Sequence, residues 1–155
     1  KAPFYNEVKQ VVEGVLSKEC NTLLDFSIQS TQVICDYIGI ELNYEIASKM
    51  NLDIGNVSQP GDWALEISKH KKASEYINPP GGHDIFDEKK FLESNIKLSF
   101  LKSSLSPYKQ SWRKSFISGL SILDILMFND VDSCINIIKN DYKFFNKSEL
   151  ITNFK

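Results

Sequence analysis

The chain has 155 residues, of which 42% are hydrophobic and 25% charged, as expected for one globular domain with a single core. Its 18 Lys and Arg residues nearly balance its 20 Asp and Glu residues, giving a formal net charge of −2. This balance argues against a protein that binds nucleic acid through bulk positive charge. There is no apolar run of the about 20 residues that span a bilayer, and no secretory signal, so we expect a cytoplasmic protein without membrane insertion.

The first 46 residues predict two helices and a strand. An apolar stripe from Phe4 to Val15 indicates an amphipathic helix over Tyr5–Leu16. A second helix is expected at residues 22–38, with Asn21 as its N-cap and Gly39 as its left-handed C-cap. The hydrophobic period then changes to two, which predicts a strand at residues 40–46.

The central segment predicts a loop, a helix and a second strand. Residues 51–60 have a loop composition, and Asp62 can cap a short helix that runs to about Lys71. A brief strand follows at Glu75–Asn78. Two prolines and two glycines at residues 79–82 end this strand, because proline removes hydrogen-bond donors and glycine permits positive φ.

Two later helices begin with the same signals. Asp87 is an N-cap candidate, and Phe86 and Phe91 are spaced as a hydrophobic staple around it. This helix ends near Asn95 and precedes a strand at residues 96–101. Farther along, Ser121 is an N-cap candidate, and Asp124 three residues later predicts a capping box.

The remaining residues predict one more helix, with apolar positions from 131 to 142, and a polar tail at 146–155 that frays. Strands separated by helices indicate an α/β fold: a small parallel sheet of three or four strands flanked by helices in a helix-rich single domain, residues 1–145. Ligands of such sheets bind beyond the carboxyl ends of the strands. Those ends lead into residues 47–61, 79–87 and 102–119.

Few residues are suited to acid–base or metal chemistry. The two histidines, His70 and His83, have no cysteine or second histidine at metal-ligand spacing, so no metal site is predicted. His83, next to Asp84, is the candidate catalytic base, and the alternative is an ordinary surface-loop histidine. The three widely spaced cysteines favour reduced thiols over a disulfide framework.

Two segments could bind a phosphate. Backbone N–H groups at Gly81 and Gly82 could approach an anion closely, and the alternative is simply a tight connection between a strand and a helix. Residues 94–123 carry five cations and no carboxylate, and aromatic residues alternate with the cations there. The alternative is a partly helical segment with its aromatic residues in the core. The candidate binding side chains are Lys102, Tyr108, Gln110, Trp112 and Arg113.

Four blocks of sequence resemble the WbqC-like family of bacteria, in the same order. They are SEYINPPGG at residues 74–82, Phe91 with Asn95, Ile96 and Phe100, YKQ at residues 108–110, and GLSILDILMFN at residues 119–129. The last block is the most specific. The resemblance spans residues 3–129 and corresponds to the carboxyl-terminal portion of the family, which implies an amino-terminal half of the same protein as a missing partner.

The resemblance implies an amino-acyl (glycine) transferase that modifies a nucleotide-linked amino sugar in O-antigen and surface-polysaccharide biosynthesis. The partner would be a nucleotide sugar, and no cofactor is assigned. Two alternatives stay open: a non-catalytic nucleotide- or sugar-binding module, and an RNA-binding accessory domain. The matched blocks place these residues in the site region: Gly81, Gly82, Asp84, Tyr108, Gln110, Ser121 and Asp124.

Overall fold

The computed structural model describes residues 1–110 and 115–153. In chain order the elements are α1 (Tyr5–Leu16), α2 (Leu23–Ile38), α3 (Pro60–His70), β1 (Glu75–Asn78), α4 (Glu88–Glu93), β2 (Lys97–Ser103), α5 (Ile122–Phe128), α6 (Val131–Asn140), β3 (Tyr142–Phe145) and α7 (Lys147–Asn153). Two 3₁₀ helices lie at Ala47–Lys49 and Pro80–Ile85. None of the helices in this described part is both long and apolar enough to cross a membrane.

The chain folds into two compact units, each assembled from two separate stretches. Unit 1 comprises Lys1–Tyr44 and Leu105–Asp141, and unit 2 comprises Glu45–Ser104 and Tyr142–Lys155. The chain therefore passes from one unit to the other three times.

Unit 1 is helical and contains α1, α2, α5 and α6. The predicted bounds of α1 are confirmed. At α2, the Thr22 hydroxyl accepts a hydrogen bond from the Asp25 backbone N–H at 3.1 Å, so Thr22 and not Asn21 is the N-cap. Gly39 ends the helix with φ of 71°, as predicted. The core of the unit consists of Val8, Ile38, Ile125, Leu126 and Cys134.

Unit 2 contains a three-stranded sheet in the order β1-β2-β3, with helices packed against it. β1 and β2 are parallel, whereas β2 and β3 are antiparallel, with Phe100 opposite Phe145. The predicted α/β class is confirmed, and the sheet is mixed. Its core consists of Leu65, Phe86, Phe91, Ile96, Leu98, Phe100 and Leu150.

The strand predicted at residues 40–46 is wrong. This segment has no regular secondary structure, although Ile40, Leu42 and Ile46 are half-buried and the residues between them are exposed. Alternation of apolar residues records which side chains face the protein, but a strand also needs a neighbouring backbone to pair with. The chain leaves unit 1 within this segment, after Tyr44.

The third strand of the sheet lies instead at Tyr142–Phe145, so the sheet is not wholly parallel. The last predicted helix ends at Asn140, and Tyr142 belongs to β3. Residues 147–153, predicted as part of a fraying polar tail, form α7. This helix is ordered because its one strongly apolar inward position, Leu150, is 1% exposed and packs in the core of unit 2.

Two predicted helix starts are confirmed in detail. The Asp87 carboxylate accepts a hydrogen bond from the Lys89 backbone N–H at 3.0 Å, and the staple residues Phe86 and Phe91 meet edge to face with ring centroids 6.1 Å apart. The Ser121 hydroxyl accepts from the Leu123 backbone N–H at 3.0 Å and caps α5.

We expect Leu150→Ala to destabilise unit 2 by about 2–5 kcal/mol, because it leaves a cavity beneath the sheet. Ile151→Ala, which truncates the exposed neighbour on the same helix, is the control and should change stability little. Urea unfolding monitored by amide hydrogen exchange of β2 measures both. Equal effects of the two substitutions would mean that α7 does not stabilise the sheet.

Candidate functional site

The glycine pair after β1 lies in a 3₁₀ helix and not in a left-handed turn. Neither Gly81 nor Gly82 has positive φ, which corrects the expected role of these glycines. A Cβ at Gly82 would lie 2.8 Å from the Asn78 side-chain nitrogen, so a larger residue there would displace the Asn78 side chain. The Gly82 backbone N–H donates to the Pro79 carbonyl oxygen at 3.4 Å. This N–H already has a partner within the chain, so it is not fully available to bind an anion.

The same 3₁₀ helix orients the candidate catalytic pair. His83 Nδ1 lies 3.0 Å from the Pro80 carbonyl oxygen and therefore donates its proton there, which leaves Nε2 as the acceptor of a neutral ring. Asp84 Oδ1 lies 3.2 Å from that Nε2, and the Asp84 side chain is 85% exposed. Two acceptor atoms thus lie side by side, and they can share either the proton of an imidazolium or the N–H of a ligand.

Asp62 accepts four hydrogen bonds from neighbouring segments of unit 2. Its Oδ2 accepts from Ser58 Oγ at 2.9 Å and from the Ser58 and Gln59 backbone N–H groups, each at 3.0 Å. Its Oδ1 accepts from Lys90 Nζ at 2.6 Å. Asp62 stands at the third position of α3 and not at the N-cap, which is Gln59. The Lys90 ammonium, followed by the Ser58 donors, holds the pKa of Asp62 well below its usual range.

Gly61 allows α3 to approach the end of the 3₁₀ helix. A Cβ at this position would collide with the Ile85 carbonyl oxygen and would lie 3.2 Å from the Phe86 Cα. Only glycine lets the two backbones come this close.

These segments line an open cavity of about 840 Å³ within unit 2. The first turn of α3, the end of the 3₁₀ helix, the first turn of α4 and the first residue of α7 line it. Its charged side chains are of both signs: Asp62, Asp84, Asp87, Glu88, Lys89, Lys90 and Lys147. This volume suits a small organic ligand, and the mixed charges suit a ligand that carries both charges itself.

Two other predicted site residues, Tyr108 and Gln110, belong to unit 1, where they bind Asp124. Tyr108 Oη donates to Asp124 Oδ2 at 2.6 Å, and Gln110 Nε2 donates to the same oxygen at 2.7 Å. Asp124 therefore does not complete a capping box with Ser121, because its carboxylate is turned toward these donors. Burial and the bond to Asp124 raise the pKa of Tyr108 to about 12.

Gln110 also closes the long connection before α5. Its side chain pairs with both backbone groups of Ile117, donating to the carbonyl at 2.9 Å and accepting from the N–H at 2.8 Å. The described residues of this connection, 104–110 and 115–120, contain no helix. The Tyr108 ring packs at the edge of the unit 1 core, and its centroid lies 4.9 Å from the centroid of the Phe116 ring.

Of the remaining predicted binding residues, only Lys102 lies within the described part of the chain. Lys102 lies on β2 in unit 2, opposite Lys143 of β3. Trp112 and Arg113 lie outside the described residues. The sequence reasoning missed Lys90 and Lys147 as cavity residues. The position of Asp62 shortly after Pro60 indicates a carboxylate that bonds the start of α3. No sequence signal near Asp62 indicates that Lys90 is its ionic partner.

The low pKa of Asp62 predicts acid sensitivity of unit 2. A carboxyl whose pKa is lower in the folded than in the unfolded chain stabilises the fold above the unfolded pKa of about 4, and this stabilisation is lost as the pH falls below it. We expect Asp62→Asn to flatten the loss of stability below about pH 4. Asp53→Asn, in the exposed loop before α3, is the control. Unfolding curves at several pH values measure the slopes, and parallel slopes in wild type and Asp62→Asn would contradict this role.

Gln110→Ala should destabilise unit 1 by about 1–3 kcal/mol, because it leaves both backbone groups of Ile117 and one acceptor site of Asp124 without partners. Lys109→Ala changes the exposed neighbour and should have little effect. Chemical denaturation of the two variants provides the comparison. A Gln110→Ala protein as stable as Lys109→Ala would show that water replaces these hydrogen bonds without cost.

The sequence profile of the WbqC-like protein family matches residues 1–135 of this chain. No curated protein and no solved structure matches it. The matched residues include the His83–Asp84 pair, the Asp62 cluster and the Tyr108–Gln110–Asp124 network, whereas β3 and α7 lie beyond them. A function related to polysaccharide biosynthesis is consistent with this match. Because the match covers most of the sequence in one continuous stretch, the chain belongs to the WbqC-like protein family.

Proposed function

We propose that this protein is a cytoplasmic amino-acyl transferase that joins an amino acid, with glycine as the first candidate, to the amine of a nucleotide-linked sugar in surface-polysaccharide biosynthesis. The observation that carries the proposal is the His83–Asp84 pair. Its acceptor atoms, Nε2 and Oδ1, are 3.2 Å apart, and Asp84 lines the cavity of unit 2. Family membership supports the biosynthetic setting.

An amine is the ligand group that suits two adjacent acceptors. An ammonium has three N–H donors and no acceptor, so one can point at Nε2 and another at Oδ1. The bond from Nδ1 to the Pro80 carbonyl keeps the ring in the tautomer whose Nε2 accepts. The pair can therefore bind the protonated amine of a sugar and then hold the proton that this amine must lose before it can attack.

The reaction forms one bond and breaks another at the carbonyl carbon of an activated amino-acyl donor. The sugar nitrogen attacks that carbon, and the bond from the carbon to the oxygen or sulfur of the leaving group breaks. An amide and free phosphate, AMP or thiol result, according to the donor. The ammonium loses one proton to His83 Nε2 before the attack, and the second proton that the nitrogen loses on forming the amide passes to the departing oxygen or sulfur. The co-reactant is an acyl phosphate, acyl adenylate or thioester of the amino acid.

The cavity has groups for both ends of such a sugar. Asp84 belongs to the pair that receives the amine, and Lys89 and Lys147 are cations on the lining that can attract the diphosphate. Lys90 is committed to Asp62. Lys109 belongs to unit 1 and carries no part of this proposal.

We expect His83→Ala to lower kcat by about 10²–10⁴-fold, the usual contribution of a general base, with a small change in the KM of the sugar. Asp84→Asn should mainly raise that KM. His70→Ala removes the other histidine, an exposed residue of α3, and is the control. Mass spectrometry of UDP-glucosamine incubated with a glycyl thioester, and separately with glycine and ATP, detects the amide product.

Other results would select a different function. Calorimetric binding of UDP-glucosamine without product in either assay would favour a non-catalytic sugar- or nucleotide-binding module. Thermal stabilisation by RNA oligonucleotides and not by nucleotide sugars would favour an RNA-binding accessory domain. Equal kcat values for His83→Ala and His70→Ala would remove His83 from the mechanism.

A further inference from the structure

Lys147, a cation of the unit 2 cavity, has no ionic partner among the described residues. Lys147, the first residue of α7, is half-buried and lines the cavity, and its Nζ donates to the Phe86 carbonyl oxygen at 2.7 Å. Among residues 1–110 and 115–153, no carboxylate oxygen lies within 4.0 Å of this Nζ. Lys90, on the same lining, differs because its Nζ is 2.6 Å from Asp62.

A half-buried ammonium with a neutral partner alone is costly. Burial removes water from the charge, and a carbonyl oxygen restores only part of the lost interaction. An ammonium has three N–H donors, and the Phe86 carbonyl uses one of them. The other two can donate to a ligand in the cavity.

Three of the four carboxylates on the lining have identified contacts that do not include Lys147. Asp62 accepts from Lys90, Ser58 and Gln59, and Asp87 accepts from the Lys89 backbone N–H. Asp84 lies beside His83. Glu88, the fourth, is exposed in the first turn of α4.

We propose that Lys147 binds an oxyanion of the ligand, a phosphate or a carboxylate, inside this cavity. This proposal rests on the proposed function, and it makes Lys147 the anion subsite of the same cavity. Lys147 lies beyond the residues that the family profile matches, so α7 supplies a binding residue outside the matched segment. Lys147 is thus a specificity-determining residue, in addition to forming the hydrogen bond that joins α7 to the Phe86 carbonyl.

Two substitutions distinguish anion binding by Lys147 from its structural hydrogen bond to the Phe86 carbonyl. Lys147→Arg keeps a positive donor, whereas Lys147→Gln keeps a neutral N–H donor for the Phe86 carbonyl and removes the charge. Lys143→Gln removes an exposed lysine from β3 in the same unit, outside the cavity lining, and is the matched control. Thermal melting shows whether each variant is folded.

The probes are pyrophosphate and acetate, each titrated calorimetrically into the full chain. We expect one of them to bind, with Lys147→Gln weakening it by about tenfold or more, since a charge-assisted hydrogen bond is lost. Lys147→Arg and Lys143→Gln should bind like the wild type. Preference for pyrophosphate identifies a phosphate subsite, and preference for acetate identifies a carboxylate subsite.

A measurement on wild-type chain covers the case in which Lys147→Gln does not fold. Reductive ¹³C-methylation labels every lysine, and the Lys147 signal, assigned with Lys147→Arg, should shift on addition of the bound probe while the Lys143 signal stays in place. Absence of binding by both probes, unchanged affinity in folded Lys147→Gln, or an unmoved Lys147 signal would overturn the subsite. Anion binding at Lys147 without amide formation would overturn the transferase and leave the subsite intact.

Discussion

The buried carboxylate of Asp62 is the interaction on which the cavity of unit 2 depends. One side chain bonds the loop before α3, the first turn of α3 and the middle of α4, through four hydrogen bonds of 2.6–3.0 Å. Loss of the charge would leave the Lys90 ammonium facing a neutral group and would release the Ser58 and Gln59 N–H groups. The ion pair between Asp62 and Lys90 therefore positions the walls of the cavity, and no contact from a ligand is needed for this.

Local signals explain most of what the sequence predicts correctly. Caps, staples and amphipathic stripes depend on residues within a few positions of each other, so α1, the Asp87 cap and the Ser121 cap can be read from the chain. The strand β1 is also local, because two prolines end it. In the predicted tail, Leu150 is the buried residue and most of its neighbours are polar. One buried apolar position does not produce a helical hydrophobic pattern that can be recognised in the sequence.

The failures concern partners that are distant in sequence. Residues 40–46 alternate like a strand, yet pairing requires a neighbour that the alternation does not encode. Asp124 lies at the correct spacing for a capping box, but Tyr108 and Gln110, 16 and 14 residues before it, take its carboxylate. Lys90 reaches Asp62 across 28 residues, and Lys147 reaches the Phe86 carbonyl across 61. Sequence motifs therefore single out residues without identifying what each one touches.

The division of each unit between two stretches of chain has a consequence for synthesis on the ribosome. Unit 1 needs residues up to Asp141, and unit 2 needs β3 and α7, which emerge later still. Until then one edge of β2 has no partner strand, and the pocket for Leu150 exposes the aromatic side chains around it. An unpaired strand edge beside exposed apolar surface is the usual starting point for aggregation of nascent chains. The nascent protein should therefore depend on chaperones until α7 has been synthesised.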